Sequence, residues 1–323
     1  INDGQGYVII TWEEIRGNPN IYAQRIGIKG GAISWVDRGE PVTMSPNYPK
    51  RPEIVPDGMG GAIIVWTDYR NVNKDIYAQR IDSNGQPVWE PNGIPICNDT
   101  AEQMNPVIMN DLISGATTGA IIAWEDWRNE DSDIYAVKVG TDSLSFRPGD
   151  EKLMAGWFTD EVSPRMVSND QGGGIIAWIE KDSMDSYKIF ASKRNQDGDP
   201  IWINPQVQVC QPQNIVDHRM VSDGSDGVII AWQAGPSTDY NIYAQRVVET
   251  TTTVPSASIS GIVLKFTDGR GITGVEVEAL KDNRLVSSDI SFNGFYELTG
   301  LEFGTSYEVR ATWSANDIVT SVS

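Results

Sequence analysis

The residues with the means to do chemistry recur at regular intervals. Trp66, Asp68 and Arg70 are followed by Asp75, and Trp124, Asp126 and Arg128 by Asp133. An aspartate two residues before an arginine can accept from turn amides and from a guanidinium fork together. Such a group pins a hairpin. With Tyr69 and Trp127 beside it on neighbouring loops, it can also meet a ligand. Asp68, Tyr69, Arg70, Asp75, Asp126, Trp127, Arg128 and Asp133 are therefore the candidate ligand-binding residues, with pinning and binding both open. The first copy keeps Glu14, Arg16 and Asn20, the fourth keeps Glu180 and Lys188, and the fifth loses the pattern in QAGPSTDYN.

Other candidates are weaker. A glycosidase needs two carboxylates roughly 5–10 Å apart. Glu53, Glu161 and Asp217, near the starts of the innermost strands, are the one set available, yet 44 of 323 residues are Asp or Glu and three by chance is unremarkable. His218 is the sole histidine and occupies a slot held elsewhere by Pro52, Pro106 and Pro164. It has no second histidine to support Ser–His–Asp chemistry. The loop Asn129 to Asp133 is dense in oxygens, and calcium takes six to eight of them, but the loop lacks EF-hand spacing and glycine. Calcium is the ion such a loop would take, a solvated acidic turn being the plainer reading, and no cofactor is expected. Cys97 and Cys210 fall at equal offsets after Trp89 and Trp202 in non-adjacent repeats. The Cα limit of about 7 Å argues against a bridge, leaving buried thiols. Two Cys and one His cannot make a structural zinc site. Lys265, Glu297 and Asn316 could in principle form an isopeptide crosslink, although their placement does not recommend it.

What positions these residues is a repeat. YVIITW, AIIVW, AIIAW, GIIAW and VIIAW end at Trp12, Trp66, Trp124, Trp178 and Trp232, with spacings of 54, 58, 54 and 54 residues. Each is followed by IYAQR or a variant (IYAVK, IFASK), and then by Trp35, Trp89, Phe146 or Trp202. A fourth element precedes each Asp-Gly or Asn turn. Short β-branched and aromatic runs bounded by Gly, Asn, Asp and Pro are strands. AIIVW, apolar on both faces, is a strand covered on each side. Four strands per repeat, repeated around an axis, predict an all-β chain with a five-bladed β-propeller of four-stranded blades over 1–248. A linear solenoid is the alternative. The first repeat lacks most of one strand and the last its outer strand. A Thr/Pro/Ser linker spans 249–258, and 259–323 reads as a small C-terminal β-sandwich, one strand short of complete.

Residues 57–96, DGMGGAIIVWTDYRNVNKDIYAQRIDSNGQPVWEPNGIPI, resemble repeats of secreted proteins from Bacteroidetes-like bacteria. That resemblance covers 1–248 and implies an exported propeller, and it has no settled activity to lend. Residues 258–312, with SGIVLKFTDGRGITGVEVEAL and FNGFYELTGLEFGTSYEVRATW, resemble a carboxypeptidase-regulatory-like, transthyretin-like module. Such a module implies a spacer or surface fold.

A net charge of −19 repels phosphate backbones and anionic membranes, so neither nucleic acid nor membrane insertion is expected. No run long enough to span a bilayer is present. These readings together predict a non-catalytic, secreted or cell-surface binding or scaffold protein, not an enzyme, with a glycan or protein partner. A glycoside hydrolase with axial carboxylates and a structural subunit of a surface layer or fibre are the alternatives.

Overall fold

A computed structural model describes residues 1–31, 35–44, 48–142, 151–156, 159–169, 171–181, 186–202, 204–210, 214–235, 240–248, 256–263, 273–281, 284–292, 295–302 and 307–312. The chain divides into two compact units, Ile1–Glu249 and Thr250–Ser323. Among the described residues every regular element is a strand.

The first unit holds five antiparallel sheets in chain order. The first contains β1 (Tyr7–Arg16), β2 (Asn18–Gly27) and β3 (Glu40–Pro41). The second contains β4 (Lys50–Pro56), β5 (Ala62–Asp68), β6 (Asp75–Ile81) and β7 (Ile94–Cys97). The third contains β8 (Gln103–Ile113), β9 (Ala116–Asp126), β10 (Asp133–Gly140) and β11 (Lys152–Ala155). The fourth contains β12 (Asp160–Ser168), β13 (Gly174–Lys181), β14 (Tyr187–Arg194) and β15 (Val207–Gln208). The fifth contains β16 (Ile215–Ser222), β17 (Val228–Ala234) and β18 (Asn241–Val247). Successive leading strands pack on one another, β4 on β8, β8 on β12 and β12 on β16.

These repeated sheets fit a propeller better than a line. Stacked sheets lie about 10 Å apart, so in a line β4 and β16 would be roughly 30 Å apart. Yet the charges of both Arg165 in β12 and Arg219 in β16 act on the Glu53 carboxyl in β4. Strands converging on an axis bring such residues together.

Each residue of the repeat has a packing reason. In β5, Ile63 and Val65 pack toward the third sheet, while Ile64 and Trp66 pack toward the first. In β6, Ile76 and Ala78 are fully buried, and the Tyr77 ring lies 3.7 Å beneath the Arg70 guanidinium. Gln79 clasps the loop after it: its side-chain amide donates to Glu90 O at 2.9 Å and its oxygen accepts from Trp89 N at 3.0 Å. Arg80 Nε donates to Asp57 at 2.9 Å, closing the Asp-Gly turn that starts β5. Arg25 with Asp3 and Arg246 with Asp223 repeat that pair. Trp35 and Trp89 reach forward, donating to Ser83 O and Thr141 O on the following sheet. The corresponding Phe146 lies outside the described residues. Gly93, at φ +87°, sits where a Cβ would come within 2.6 Å of the Trp66 ring, so no other residue fits beneath that indole.

The second unit has one sheet of β19 (Ser256–Ile262) and β22 (Phe295–Glu302), and another ordered β21 (Arg284–Ile290), β20 (Glu276–Lys281), β23 (Glu308–Thr312). Val275, Val277, Ala279 and Leu298 form one buried cluster drawn from both sheets. Lys265 and Asn316 of the suggested crosslink lie outside the described residues. Among the described residues, no helix is long and apolar enough to cross a membrane.

Candidate functional site

Lys50 pairs with Thr67, Gln103 with Asp126 and Asp160 with Lys181. The start of each leading strand therefore meets the end of the next strand, and both lie at one end of the sheets. That end carries the turns after Asp68 and Asp126 and, further in, the first residues of β4, β8, β12 and β16.

The turns are pins. Asp68 is fully buried and accepts from Trp66 Nε1, Arg70 N and Arg70 Nε, each at 2.8 Å, and from Arg70 Nη2 at 2.7 Å. Asp126 does the same with Trp124 and Arg128, and Arg128 covers the Tyr135 ring. Asp75 and Asp133 are buried and take the side-chain amides of Asn71 and Asn129 at 2.5 and 2.6 Å. Burial, followed by nearby carboxylates, pushes both above the ordinary carboxylate range despite those amides. Cys97 lies against this turn, 3.2 Å from Arg128 Nη2, and burial pushes its thiol up to about 12. Of the eight candidate residues, Tyr69 and Trp127 alone keep substantial exposed surface. In the oxygen-rich loop, Ser132 Oγ donates to Glu161 O at 2.9 Å. Among the described residues no group of three or more His, Cys, Asp or Glu could hold a metal ion.

The axial end is a different kind of site. Each leading strand starts with a β-bulge, between Lys50 and Glu53, Met104 and Val107, Val162 and Arg165, and Ile215 and Asp217. Arg51, Asn105 and Ser163, each just before the proline, have φ of 54°, 53° and 55°. Left-handed backbone at non-glycine residues costs about 1–2 kcal/mol each, and bulges of this kind re-aim side chains next to active sites. Here they aim polar groups inward. Arg51 N donates to Glu13 at 2.7 Å, and its guanidinium bonds Asn105. Asn105 Nδ2 donates to Glu125 at 2.8 Å, and Ser163 N donates to its other oxygen at 2.8 Å. Asp217 Oδ1 accepts from Arg165 Nη2 at 3.2 Å and Arg219 Nη1 at 2.7 Å.

The two arginines that bond Asp217 also act on Glu53, there through their charge. Glu53 is solvent-accessible but surrounded closely enough that desolvation raises its carboxyl, with Arg165 and then Arg219 pulling the other way. Burial also raises Glu125, against the Ser163 amide, Asn105, Arg51 and Arg165. Glu161 does not join them. It is fully buried, its amide donates to Ser132 O at 2.6 Å, and its carboxylate takes the Thr159 hydroxyl at 2.8 Å. Sequence reasoning missed Glu125 and the arginines. The available signal was that the residues flanking the proline slot are polar in almost every repeat. His218 is buried, and desolvation lowers it to about 4. A cavity of about 260 Å³ between the third and fourth sheets, walled by Met109, Ile121, Met154, Met166 and Ile176, holds none of the axial carboxylates.

No protein-family model matches the chain, and no curated protein matches it. Solved structures do. An endo-arabinase from Bacteroides thetaiotaomicron is 12% identical with a TM-score of 0.43, over 76% of this chain and 91% of that one. A thermostable family-43 glycoside hydrolase is 11% identical with a TM-score of 0.39, over 84% and 92%. A Hadza microbial sialidase is 9% identical with a TM-score of 0.43, over 94% and 65%. These neighbours are glycoside hydrolases, which stands against the expectation of a non-catalytic binding or scaffold protein without enzyme activity, and that expectation is corrected. At such TM-scores the likeness assigns neither substrate nor catalytic residue, and those rest on the chain's own geometry.

Proposed function

We propose that the first unit is a glycoside hydrolase working at the axial end of its sheets. Glu53 is the general acid and Asp217 the second carboxylate, while Tyr69 and Trp127 offer rings for sugars lying further out. The observation that carries this reading is Glu53: an accessible carboxyl that desolvation holds above its ordinary range, under the charges of Arg165 and Arg219, the two arginines that hold Asp217. An acid must keep its proton near working pH to protonate a leaving oxygen, and a pair of carboxyls in unlike environments is the usual arrangement for glycoside cleavage. One oxygen of Asp217 takes both arginines, and the other has no hydrogen-bond partner among the described residues. That oxygen is free to direct water or meet the anomeric carbon. A chain of net charge −19 favours a neutral polysaccharide over a polyanion.

Each sheet of 1–248 then counts as one propeller blade. The stretch 249–258, whose last three residues already belong to β19, leads as a linker into 259–323, a carboxypeptidase-regulatory-like sandwich acting as a spacer. Export to the medium or cell surface would bring the enzyme to polymers too large to enter a cell. The test is reducing-sugar release from a panel of neutral polysaccharides and sialosides. Glu53→Gln and Asp217→Asn should each lower turnover by about 10²-fold or more with an unchanged melting temperature. Release unaffected by Glu53→Gln, or none on any substrate, overturns the proposal.

A further inference from the structure

We propose that the cavity between the third and fourth sheets binds a small alkyl carboxylate, the Arg194 guanidinium taking its head and a methionine-rich wall taking its chain. This site is separate from the axial one. Gly174 pairs with Arg194 at one end of β13 and β14, whereas Asp160 meets Lys181 at the other end of β13. Gly174 and Arg194 line the cavity, so its ligand does not reach the proposed catalytic carboxylates.

Arg194 is the odd member of a repeated pair. Four repeats hold the cation in this slot with the aspartate that starts the hairpin: Arg25 with Asp3, Arg80 with Asp57, Lys138 with Asp111 and Arg246 with Asp223. In the fourth repeat the aspartate slot holds Asn169. An amide has one acceptor oxygen and no charge. That oxygen takes Gln171 N at 2.9 Å, as Asp57 takes Met59 N in the second repeat. The other terminal atom is now a donor, Nδ2, buried without a partner. Arg194 donates from Nη2 to Met154 O at 2.8 Å and from Nη1 to Gly198 O at 3.3 Å, while its Nε is buried with no hydrogen-bond partner. Among the described residues no carboxylate bonds it. Desolvation pulls its pKa below the ordinary arginine value, and Asp199 opposes this through charge alone. Two buried donors thus lack the acceptor that the other repeats supply as a carboxylate.

The cavity supplies the rest of the specificity. Lys138 and Lys152 line it too, but Asp111 already holds the first and Asp199 the second. Arg194 is the cation with a donor to spare. Met109, Met154 and Met166 give a soft apolar surface that adapts to an unbranched chain. At about 260 Å³ the space is at the small end for ligands, which keeps the chain short. A carboxylate on Arg194 forms a charge-assisted pair and compensates a partly buried lone charge. An alcohol of the same length would bury the same chain and leave that charge alone.

Calorimetric titration of the full chain with sodium octanoate, with octanol as the uncharged control, is the test. Octanoate should bind saturably with a negative heat-capacity change, and at least about tenfold more tightly than octanol. Asn169→Asp restores the pair of the other repeats. It should raise the melting temperature and, by recapturing Arg194, weaken octanoate at least about tenfold. Arg194→Gln should weaken octanoate as much and leave octanol unchanged. Any sugar release should be the same in both variants as in wild type, because the axial residues are untouched. Wild type that binds no octanoate, or binds octanol equally well, overturns the proposal. So does octanoate binding that neither substitution weakens.

Discussion

Replacing Asp68 decides between the two roles of the Trp-Asp-Arg turn. Asp68 accepts four hydrogen bonds from inside the protein, one from the buried Trp66 indole and three from Arg70. Asp68→Ala strands the indole N–H, at a cost of about 1–3 kcal/mol for a buried unsatisfied donor. It also leaves Arg70 with the Asn92 carbonyl and the Tyr77 ring in place of its carboxylate. Arg70 is about a fifth exposed, so water recovers part of that loss. The sum is about 3–4 kcal/mol, near the range for breaking a buried charged pair. Asp68→Asn keeps an acceptor and loses the charge, and should cost about half as much. Urea unfolding followed by tryptophan fluorescence reads the right unit, because ten of the eleven tryptophans precede residue 233. Asp126→Ala, in the same setting, should match Asp68→Ala within about 1 kcal/mol, and activity per folded molecule should hold. If Asp68→Ala leaves the unfolding midpoint where it was while sugar release collapses, the turn contacts substrate and the pin is wrong.

Three further expectations follow from the same geometry. His218 titrates near 6.5 when unfolded and at about 4 when folded. Because the folded value is depressed, its neutral burial stabilises fully above pH 6.5, and that contribution is lost as pH falls toward 4. Near pH 5 the loss is about 2 kcal/mol, and His218→Pro, the residue of the other repeats, should flatten this limb of the urea midpoint against pH. Cys97 and Cys210 are buried with raised pKa values, so neither should react with Ellman's reagent at mildly alkaline pH until urea unfolds the chain; prompt reaction of the native protein would contradict their burial. Gly93→Ala should cost about 3 kcal/mol, combining left-handed backbone with the Trp66 clash, whereas Gly30→Ala, with open space around it, should cost about 1 in the same urea assay.

The repeat made the scaffold legible in the sequence. Trp66, Trp124 and Trp178 fall where a period of about 54 residues puts them, and each is fully buried or nearly so. The Asp68 and Asp126 turns were legible as chemistry but not as to role, since a carboxylate beside an arginine looks alike in a pin and in a binding site. The Asp57–Arg80 pair went unseen because its members lie 23 residues apart and meet only when β5 and β6 pair. Glu161 and Glu53 both fall near the start of a leading strand, but on opposite sides of its bulge: Glu161, before it, stays against the preceding hairpin, whereas Glu53, after it, comes under the charges of Arg165 and Arg219.

In a repeat protein, the slots that hold one residue type are the scaffold, and the slots that vary are free to carry a site. The core positions of AIIVW and IYAQR vary little, because each must fill the same gap between sheets. The bulge slot runs Arg51, Asn105, Ser163, Asp217, and the slot after the proline position runs Glu53, Val107, Arg165, Arg219. No common packing requirement selects such a series, since these slots do not fill one recurring gap between sheets. These residues instead bond from sheet to sheet: Arg51 to Asn105, Ser163 to Glu125, Arg165 to Asp217. A network that requires a different residue from every repeat cannot arise from duplication alone. Each member differs from its counterparts in the same slot of the other repeats. Divergence at the innermost positions, against uniformity everywhere the sheets touch, is what a single asymmetric substrate at the axis would impose.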